Sequence, residues 1–350
     1  MNAPFFIVGT ERSGSNLLRV ILDAHSRLAV PHPPHVMNLL GPVEHCFGDL
    51  AQDENLRKLA REVGRLVRLH IHPWDFAVDV EQLVTDASPR DLFGLFVALY
   101  EQNQRHEGKA RWGCKSTFMI HHVDRILARF PDARLLHLVR DPRDVAVSSR
   151  DSVFNPSHPY FVARLWTEQQ ELAHALAGRL GADTMLRVRY EDLIADPEAS
   201  VRAICAFLGE EFEESILRFF ERDATRKGAA LSQSWANTGR PVMSDNAGKF
   251  GRELDAQEIA LIEGVAGEMM ELHGYARVAE RQAPPTGARL RFLPSELLGN
   301  ARTELRSLRD DENHWIRVRR DGLARLWRLR GRMTPRGSAR PQGATTGRGR

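Results

Sequence analysis

The sequence is poor in cysteine, with three residues among 350: Cys46, Cys114 and Cys205. They lie far apart and are odd in number, so they match neither a disulfide framework of a small secreted protein nor the spacing of a zinc site. The chain is 42% hydrophobic and 27% charged, which is typical of a globular enzyme. These features together predict a protein of a reducing compartment.

Long apolar runs are also missing. The first apolar segment, residues 5–8, has no basic residues before it and is too short for a signal peptide or an anchor. No later segment approaches the roughly 20 apolar residues that a membrane-spanning helix needs. We therefore expect a cytoplasmic protein.

The positive net charge is concentrated at the end of the chain. Residues 276–350 hold eighteen arginines against seven acidic residues, a net charge of +11. Since the whole chain carries +3, the first 275 residues carry −8. An acidic body argues against nucleic acid as the main partner, and we expect none.

A lysine is absent where a nucleotide-hydrolysing enzyme would need one. The loop from Gly9 to Gly14 has the spacing of a Walker A phosphate loop. However, Ser15 stands at the lysine position and Asn16 at the position of the magnesium-binding hydroxyl. No acidic strand end for a metal follows. This pattern disfavours an ATP- or GTP-hydrolysing enzyme or a P-loop kinase.

What the loop does contain still suits an anion. It follows a short buried strand and precedes a helix, and strand, loop and helix at the start of a chain indicate an α/β fold. The N–H groups at the start of that helix favour a phosphate. Gly14 lets the backbone approach closely, Arg12 adds a full charge, and Ser13 adds a donor. Taken alone, the pattern also fits an ordinary strand-to-helix turn.

A second basic position follows another predicted strand, residues 135–139. Arg140 stands at its end, where a guanidinium can bind a phosphate through two hydrogen bonds. Asp141 suits a helix cap, and Ser148 follows two helical turns later. The alternative is that Arg140 pairs with Asp141 or Asp144 and that Ser148 is a surface residue.

The two motifs occur in the order and spacing of one known family. Residues 11–25 (ERSGSNLLRVILDAH) and 136–148 (LHLVRDPRDVAVS) resemble the sulfotransferases, most closely the bacterial and tyrosylprotein branch. The similarity covers about residues 5–275. It implies a cosubstrate, 3′-phosphoadenosine-5′-phosphosulfate (PAPS), and no metal. It further implies that Arg140 and Ser148 hold the 3′-phosphate, whereas the 5′-phosphate and sulfonate are held by Arg12, Ser13, Gly14, Ser15 and Asn16.

Two lysines extend the resemblance. Lys115 matches a lysine of the tyrosylprotein branch, and with Arg12 it is a candidate for stabilising charge on the leaving phosphate. It could equally be a surface lysine at a strand end. Lys249 resembles a late basic position that contacts PAPS, and the basic segment 226–228 is a rival for that role.

The catalytic base is where the sequence departs from the family. Related enzymes carry a glutamate soon after the Leu-Asp-Ala-His segment, and this chain has His32 and His35 there. Histidine is suited to accept a proton near neutral pH, so both are candidates. Fallback candidates are Glu44, His45, His121 and His122. The missing glutamate also leaves open a catalytically silent relative that only binds the nucleotide.

The resemblance implies a P-loop-like three-layer α/β fold, with a central parallel sheet flanked by helices and the cosubstrate at the carboxyl ends of the strands. We expect a sulfotransferase domain over residues 1–280, a linker over 281–294, a basic amphipathic helical extension over 295–334 and a disordered tail over 335–350. The acceptor, a hydroxyl compound of unspecified class, would lie among residues 31–48, 49–107 and 222–245. Four aromatic residues could line that pocket or belong to the core: Trp74, Phe76, Trp166 and Trp235.

The basic extension has no counterpart that we recognise in the family. Its arginines alternate with apolar residues, a pattern that suits contact with an anionic membrane or an acidic partner. The same pattern fits a solvent-exposed helix or a dimer contact.

Overall fold

The structure, a computed structural model, describes residues 3–333. The predicted disordered tail, residues 335–350, lies outside this range. Between residues 3 and 333, no helix is both long and apolar enough to cross a membrane.

Five parallel strands form one central sheet in the order β2-β3-β1-β4-β5. The strands are β1 (Phe5–Gly9), β2 (Leu28–Ala29), β3 (Arg111–Lys115), β4 (Arg134–Val139) and β5 (Met185–Arg189). The first strand is central and fully buried. It pairs with β3 on one side and β4 on the other. The predicted α/β class with a central parallel sheet is confirmed.

Helices alternate with the strands along the chain and pack against the sheet. Those before β4 are α1 (Ser15–Asp23), α2 (Val36–Leu40), α3 (Asp53–Arg68), α4 (Val80–Asp86), α5 (Leu92–His106) and α6 (Val123–Arg129). Those after it are α7 (Pro142–Ser149), α8 (Pro159–Leu180), α9 (Tyr190–Ala195), α10 (Pro197–Leu208), α11 (Asp223–Ala230), α12 (Phe250–Glu253), α13 (Ala256–Leu272), α14 (Ala288–Asp310) and α15 (His314–Met333). Short 3₁₀ turns occur at Gly41–Phe47, Thr117–His122, Glu214–Glu221 and Gln233–Gly239.

The side chains of β1 point alternately to the two faces of the sheet, and helices cover each face, which gives three layers. Phe6 and Val8 point into a core formed largely by α3, α4 and α5. Phe5 and Ile7 point to the opposite face, where they pack with residues of α1 and α10. Successive side chains of a strand face opposite sides of the sheet, so an uninterrupted apolar strand requires helices on both faces. A third core lies between α7, α8 and α13.

The order of the strands places a crevice above β1. The chain moves from β1 to β2 and β3 on one side, and then crosses to β4 on the other. In such sheets ligands bind outside the carboxyl ends of the strands, next to the point where the order reverses. Both motifs predicted to bind the cosubstrate follow strands at this edge.

The C-terminal extension differs from the sequence prediction in two ways. Helix α14 begins at Ala288, inside the segment 281–294 that we expected to be a linker. The expected single basic helix is two helices, separated where the Asp311 carboxylate accepts the backbone N–H of Asn313. The second helix packs on the body, because Trp327 is buried in the core below it. The separation of the chain into independent domains stays a prediction.

Candidate active site

A cavity of about 430 Å³ opens at the carboxyl edge of the sheet. Its walls come from the loop after β1, the end of β3, the connection from β4 to α7, the start of α9, the segment 235–249 and helix α15. All predicted cosubstrate ligands except Ser13 line it, namely Arg12, Gly14, Ser15, Asn16, Arg140, Ser148 and Lys249. Ser13 is fully buried in the loop beneath.

The loop after β1 leaves a helix N-terminus open. Gly14 caps α1 with a left-handed backbone (φ 88°) and offers no side-chain acceptor to the first turn. Unpaired N–H groups at a helix start bind anions. A side chain at position 14 is excluded, because a Cβ atom there would lie 2.2 Å from Cδ2 of Tyr190.

Tyr190 is a wall residue that was not among the predicted site residues. Its ring lies against Gly14 and under the guanidinium of Arg140, 4.4 Å from the ring centroid. Its hydroxyl accepts a 2.5 Å hydrogen bond from Nδ2 of Asn246. An aromatic residue directly after the last strand of a parallel sheet was the signal that could have indicated it.

The two predicted phosphate motifs contact each other directly. Nε of Arg12 donates to the carbonyl and to Oγ of Ser148, both at 3.1 Å. Nη1 of Arg140 donates to the carbonyl oxygen of Arg12 at 3.1 Å, and its Nη2 donates to the carbonyl oxygen of Asn246 at 2.8 Å. Of the two acids in the alternative, Asp144 forms a buried ion pair with Nη2 of Arg140 at 3.8 Å, whereas Asp141 pairs with Arg143. Ser148 lines the cavity and accepts a hydrogen bond from Arg12, so it is not an isolated surface residue.

Several donors in this region have no partner among the described residues. They are the Nε of Arg140, the Oγ of Ser13 and the Nδ2 of Asn16, all buried. Burial and the charge of Arg140 lower the pKa of Arg12 from its ordinary value. Buried donors are normally satisfied, and two adjacent guanidiniums repel each other. An anion carrying several oxygens therefore fits this part of the cavity.

Lys249 is held at the cavity by Asp144. The Asp144 carboxylate accepts the backbone N–H of Gly248 at 2.7 Å and that of Phe250 at 3.0 Å. Lys249 itself makes no ion pair with any described residue, so its charge is available to a ligand. The rival segment 226–228 does not line the cavity, and Arg226 there donates to the carbonyl of Phe220.

Lys115 lies at the end of β3 and faces a carboxylate that we did not predict. Both Lys115 and Glu11 line the cavity. Burial lowers the pKa of Lys115 to about 8, partly offset by the charge of Glu11. Burial also raises the pKa of Glu11, against the pull of Lys115 and Arg12. Lys115 is therefore a partly buried cation inside the site and not an exposed surface lysine.

The two candidate bases have different surroundings. Nε2 of His32 is 2.8 Å from Nη2 of Arg19, a group that can only donate, so this nitrogen is an occupied acceptor. His32 does not line the cavity, and the geometry does not support it as the base. His35 does line the cavity, and its ring nitrogens make no hydrogen bond with described residues. Burial and the nearby charges of Lys115 and Arg320 hold its pKa well below the usual value.

Backbone strain marks the same residues. Among the described non-glycine residues, Arg12 (φ 67°) and His35 (φ 57°) are the two with a left-handed backbone. This conformation costs an L-residue roughly 1–2 kcal/mol, and such strain concentrates at functional sites. Both residues line one cavity, which is independent support for its use.

The remaining candidates lie elsewhere, and none of the fallback bases lines the cavity. Glu44 accepts the backbone N–H of Leu92, and His45 lies within 3.3 Å of the carbonyl of Gly331. His121 and His122 both pack on Phe118.

Of the four aromatic candidates, Trp235 lines the cavity. Trp166 is core and donates to the carbonyl of Arg140 at 3.0 Å. Trp74 donates to the carbonyl of His32, and Phe76 stacks on His106.

Two histidine rings lie beside Trp235, with His32 at 4.4 Å and His70 at 6.3 Å between ring centroids. His32 lies 4.3 Å from His72 and 5.8 Å from His70, measured between ring centroids. Within residues 3–333 no three His, Cys, Asp or Glu side chains converge in a way that could hold a metal ion. His70 and Trp235 line the cavity beside His35. His35, His70 and Trp235 belong to the segments 31–48, 49–107 and 222–245, which we predicted to form the acceptor pocket.

The family follows from comparison of this chain with known proteins. A model described as the sulfotransferase family matches residues 4–214, more than half of the sequence. This chain belongs to the sulfotransferase family. The resemblance inferred from the two motifs is therefore confirmed.

The relatives include protein-tyrosine sulfotransferases. Protein-tyrosine sulfotransferase 2 of Gallus gallus is 26% identical over 247 residues, which cover 69% of this chain and 60% of that protein. The protein-tyrosine sulfotransferase of Drosophila melanogaster is 23% identical over 281 residues, covering 77% of this chain and 51% of that one. This sulfotransferase thus spans a little over half the length of these curated relatives.

Solved structures agree on the fold. The sulfotransferase domain of the Synechococcus PCC 7002 olefin synthase matches with a TM-score of 0.56 and 24% identity, covering 78% of this chain and 95% of that one. The sulfotransferase domain of the curacin biosynthetic pathway matches with a TM-score of 0.53 and 20% identity, covering 79% and 99%. The three-layer fold with a parallel sheet is common to all three.

Proposed function

We propose that this sulfotransferase transfers the sulfuryl group of PAPS to an acceptor hydroxyl by in-line displacement, without a metal. The observation that carries the proposal is the junction of Arg12, Arg140 and Ser148 around buried donors that lack partners. Two cations and a helix N-terminus meet there, as a ligand with two separate phosphates requires.

The binding residues divide into two sets. Arg12, Ser13, Gly14, Ser15 and Asn16 would hold the 5′-phosphosulfate at the start of α1. Arg140 and Ser148 would hold the 3′-phosphate, and Lys249 would add charge at the same end. Membership in the family supports this division, and the contact between Arg12 and Ser148 explains how one set positions the other.

Charge stabilisation is the main task of the protein in this reaction. The bond between sulfur and the bridging oxygen breaks, and its electron pair remains on the 5′-phosphate. Lys115 and Arg12, which both line the cavity, would stabilise that charge in the transition state. With a pKa of about 8, Lys115 is mostly protonated at neutral pH and can donate a hydrogen bond or a proton to the leaving oxygen.

His35 is the proposed base. The acceptor oxygen forms the new bond to sulfur, and the hydroxyl proton goes to a ring nitrogen of His35. The low pKa of His35 keeps its ring neutral at pH 7, which is the form that can accept a proton. His35 would thus take the role that a glutamate has in related enzymes.

A tyrosine phenol is one acceptor that the proposal includes, because two relatives carry that substrate in their names. The cavity adds aromatic and histidine surfaces that would pack on an acceptor, chiefly Trp235 and His70. Sugar, lipid and other small-molecule hydroxyls belong to the same reaction class.

The second candidate is a relative that binds the nucleotide without transferring sulfate, and the missing glutamate is the observation that favours it. Incubation with ³⁵S-labelled PAPS and a panel of phenols, alcohols and sugars separates the two. We expect labelled product from wild type, loss of product in His35→Ala with nucleotide affinity kept, and no change in His121→Ala. Nucleotide binding without any product in wild type would favour the silent relative.

A further inference from the structure

The acceptor end of the cavity contains a cation from outside the part of the chain that matches the family. Arg320 lies on α15, more than one hundred residues beyond the matched range 4–214, and it lines the cavity. Its side chain is 11% exposed. The basic extension therefore contributes directly to the site and is not only an appendage.

The charge of Arg320 is poorly neutralised. Its carboxylate partner within residues 3–333 is the adjacent Asp321, at 3.3 Å, and that side chain is 41% exposed. The two hydrogen bonds between them are long, at 3.3 and 3.4 Å, and both go to the same oxygen. Phe154 lies below the guanidinium, 5.9 Å from its ring centroid. A largely buried guanidinium with free donors is suited to a planar anion.

The position of Arg320 relates it to the reacting groups. The charges of both Lys115 and Arg320 act on His35 and on His70, lowering the pKa of each. Both histidines and both cations line the same cavity. Lys115 belongs to the end of β3, whereas Arg320 belongs to α15.

We propose that Arg320 binds an anionic group of the acceptor, so that the preferred acceptors are hydroxyl compounds that also carry a carboxylate or a similar anion. This rests on the proposed function. The hydroxyl would lie at His35 and the anion would lie at Arg320, which orients the acceptor across the cavity. An extension outside the matched family region would thereby set the acceptor class.

Matched pairs of acceptors test this proposal. N-acetyltyrosine with its amide, and glucuronate with glucose, differ in charge but keep the hydroxyl. We expect wild type to use the charged member about 10- to 100-fold better, the typical contribution of a charge-assisted hydrogen bond. Arg320→Ala should lose that preference, Arg320→Lys should keep part of it, and the exposed neighbour Arg319→Ala should behave as wild type.

Affinity for adenosine 3′,5′-bisphosphate separates failure of this proposal from failure of the proposed function. It should be unchanged in Arg320→Ala, and a large loss would assign Arg320 to the nucleotide. An equal preference in wild type and Arg320→Ala also contradicts the proposal. If wild type sulfates no compound, titration of the same pairs into the nucleotide-loaded protein decides the matter. Selective binding of the charged member, lost in Arg320→Ala, supports the role of Arg320, and any other result rejects it.

A different observation concerns the outer surface of α14 and α15. Each helix has exposed apolar side chains at helical intervals, opposite the face that packs on the body: on α14 Leu290, Leu293, Leu297, Leu305 and Leu308, and on α15 Trp315, Val318, Leu326, Leu329 and Met333. The buried side chains of α14, such as Thr303 and Ser307, lie on its other face. Soluble proteins seldom expose such rows without a partner.

Exposed arginines flank both rows, among them Arg289, Arg302, Arg319, Arg325 and Arg328. An apolar row of Leu and Trp beside arginines is the pattern of a helix that lies on an anionic membrane. A second copy of this chain is a poorer occupant, because it would bring two sets of arginines together. We infer that the outer face of these two helices docks on an anionic lipid surface, independently of the Arg320 proposal.

Vesicle co-sedimentation with the full chain tests this inference. We expect binding to vesicles that contain phosphatidylglycerol and little binding to phosphatidylcholine alone. Leu297→Gln with Leu326→Gln should weaken binding more than about 10-fold, because each loses a buried apolar side chain at the interface. Leu272→Gln, an exposed leucine of α13, is the control and should not change it. Three outcomes would contradict docking on the membrane. They are an equal loss of vesicle binding in the double variant and in the Leu272→Gln control, no vesicle binding by wild type, and concentration-dependent dimerisation without lipid binding.

Discussion

The contact between Gly14 and Tyr190 makes the substitution Gly14→Ala informative. Gly14 has φ 88°, and a Cβ atom there would lie 2.2 Å from Cδ2 and 2.4 Å from Cε2 of the Tyr190 ring. At a separation under 3.0 Å, either the added methyl group or the Tyr190 ring has to move. The ring is fixed by Arg140 above it and by the hydrogen bond from Asn246. The added methyl group therefore disturbs both the phosphate loop and the position of Arg140.

Two costs add in this variant, and a second glycine separates them. Gly108 has φ 65°, and a Cβ atom added there would meet nothing within 4 Å, so Gly108→Ala measures the backbone cost alone. That cost is roughly 1–2 kcal/mol of unfolding free energy. Overpacking adds typically about 1–3 kcal/mol. We therefore expect about 2–5 kcal/mol for Gly14→Ala, and the excess over Gly108→Ala is the contribution of the Tyr190 contact.

Denaturant unfolding and nucleotide titration are the assays. Gly14→Ala should lower the unfolding free energy more than Gly108→Ala and should also abolish measurable affinity for adenosine 3′,5′-bisphosphate, which Gly108→Ala keeps. Adding Tyr190→Leu should recover part of the stability of Gly14→Ala by removing the ring. Equal destabilisation by the two glycine variants, with affinity kept in both, would refute the described packing of the loop.

Three further predictions concern charge, loop position and the extension. The value of kcat/KM should fall about tenfold per pH unit above pH 8 as Lys115 loses its proton, and a flat profile up to pH 10 would exclude that role. Asp144→Asn should weaken nucleotide binding by about 1–3 kcal/mol in titrations, because the loop that carries Lys249 loses its charged acceptor. Trp327→Ala should lower the free energy of unfolding by about 3–5 kcal/mol, because Trp327 is buried in the core. Trp315 is 64% exposed, so Trp315→Ala should lower it little. Equally small effects of the two variants would mean that α15 does not pack on the body.

The parts of the site that the sequence predicts are those that depend on local structure. Arg12 follows β1 after two residues and Arg140 follows β4 directly, and parallel strands end at a common edge. Their proximity therefore needs no knowledge of the rest of the chain. Ser148 could be placed because two turns of helix bring its side chain to the same face of α7 as the start of that helix.

The base could not be chosen from sequence, because the choice depends on one backbone conformation. His32 and His35 are three residues apart, and either could face the cavity. Our proposal of His35 depends on its left-handed backbone at the cavity and on the contact between Nε2 of His32 and Arg19. The spacing of hydrophobic residues in the sequence indicates neither the backbone conformation at His35 nor the hydrogen bond at His32.

Residues that reach the site through tertiary packing were missed. Tyr190 lies in a segment that reads as an ordinary strand-to-helix connection, and Glu11 reads as one more residue of the loop. Arg320 is about 180 residues downstream of Arg140, on a helix whose docking depends on the burial of Trp327. The split of the extension into two helices depends on the turn at Asp311, which is too short to recognise in an arginine-rich segment.

Titration with adenosine 3′,5′-bisphosphate tests the central claim, that this cavity binds PAPS, most directly. Arg140→Ala is compared with Arg134→Ala, which removes an arginine from the opposite end of the same strand. We predict saturable binding by wild type and by Arg134→Ala, and a loss of at least about 30-fold in Arg140→Ala, equivalent to roughly 2 kcal/mol for a charge-assisted contact. Folded wild type that does not bind, or equal affinity in both variants, would contradict the assignment of the cavity to PAPS.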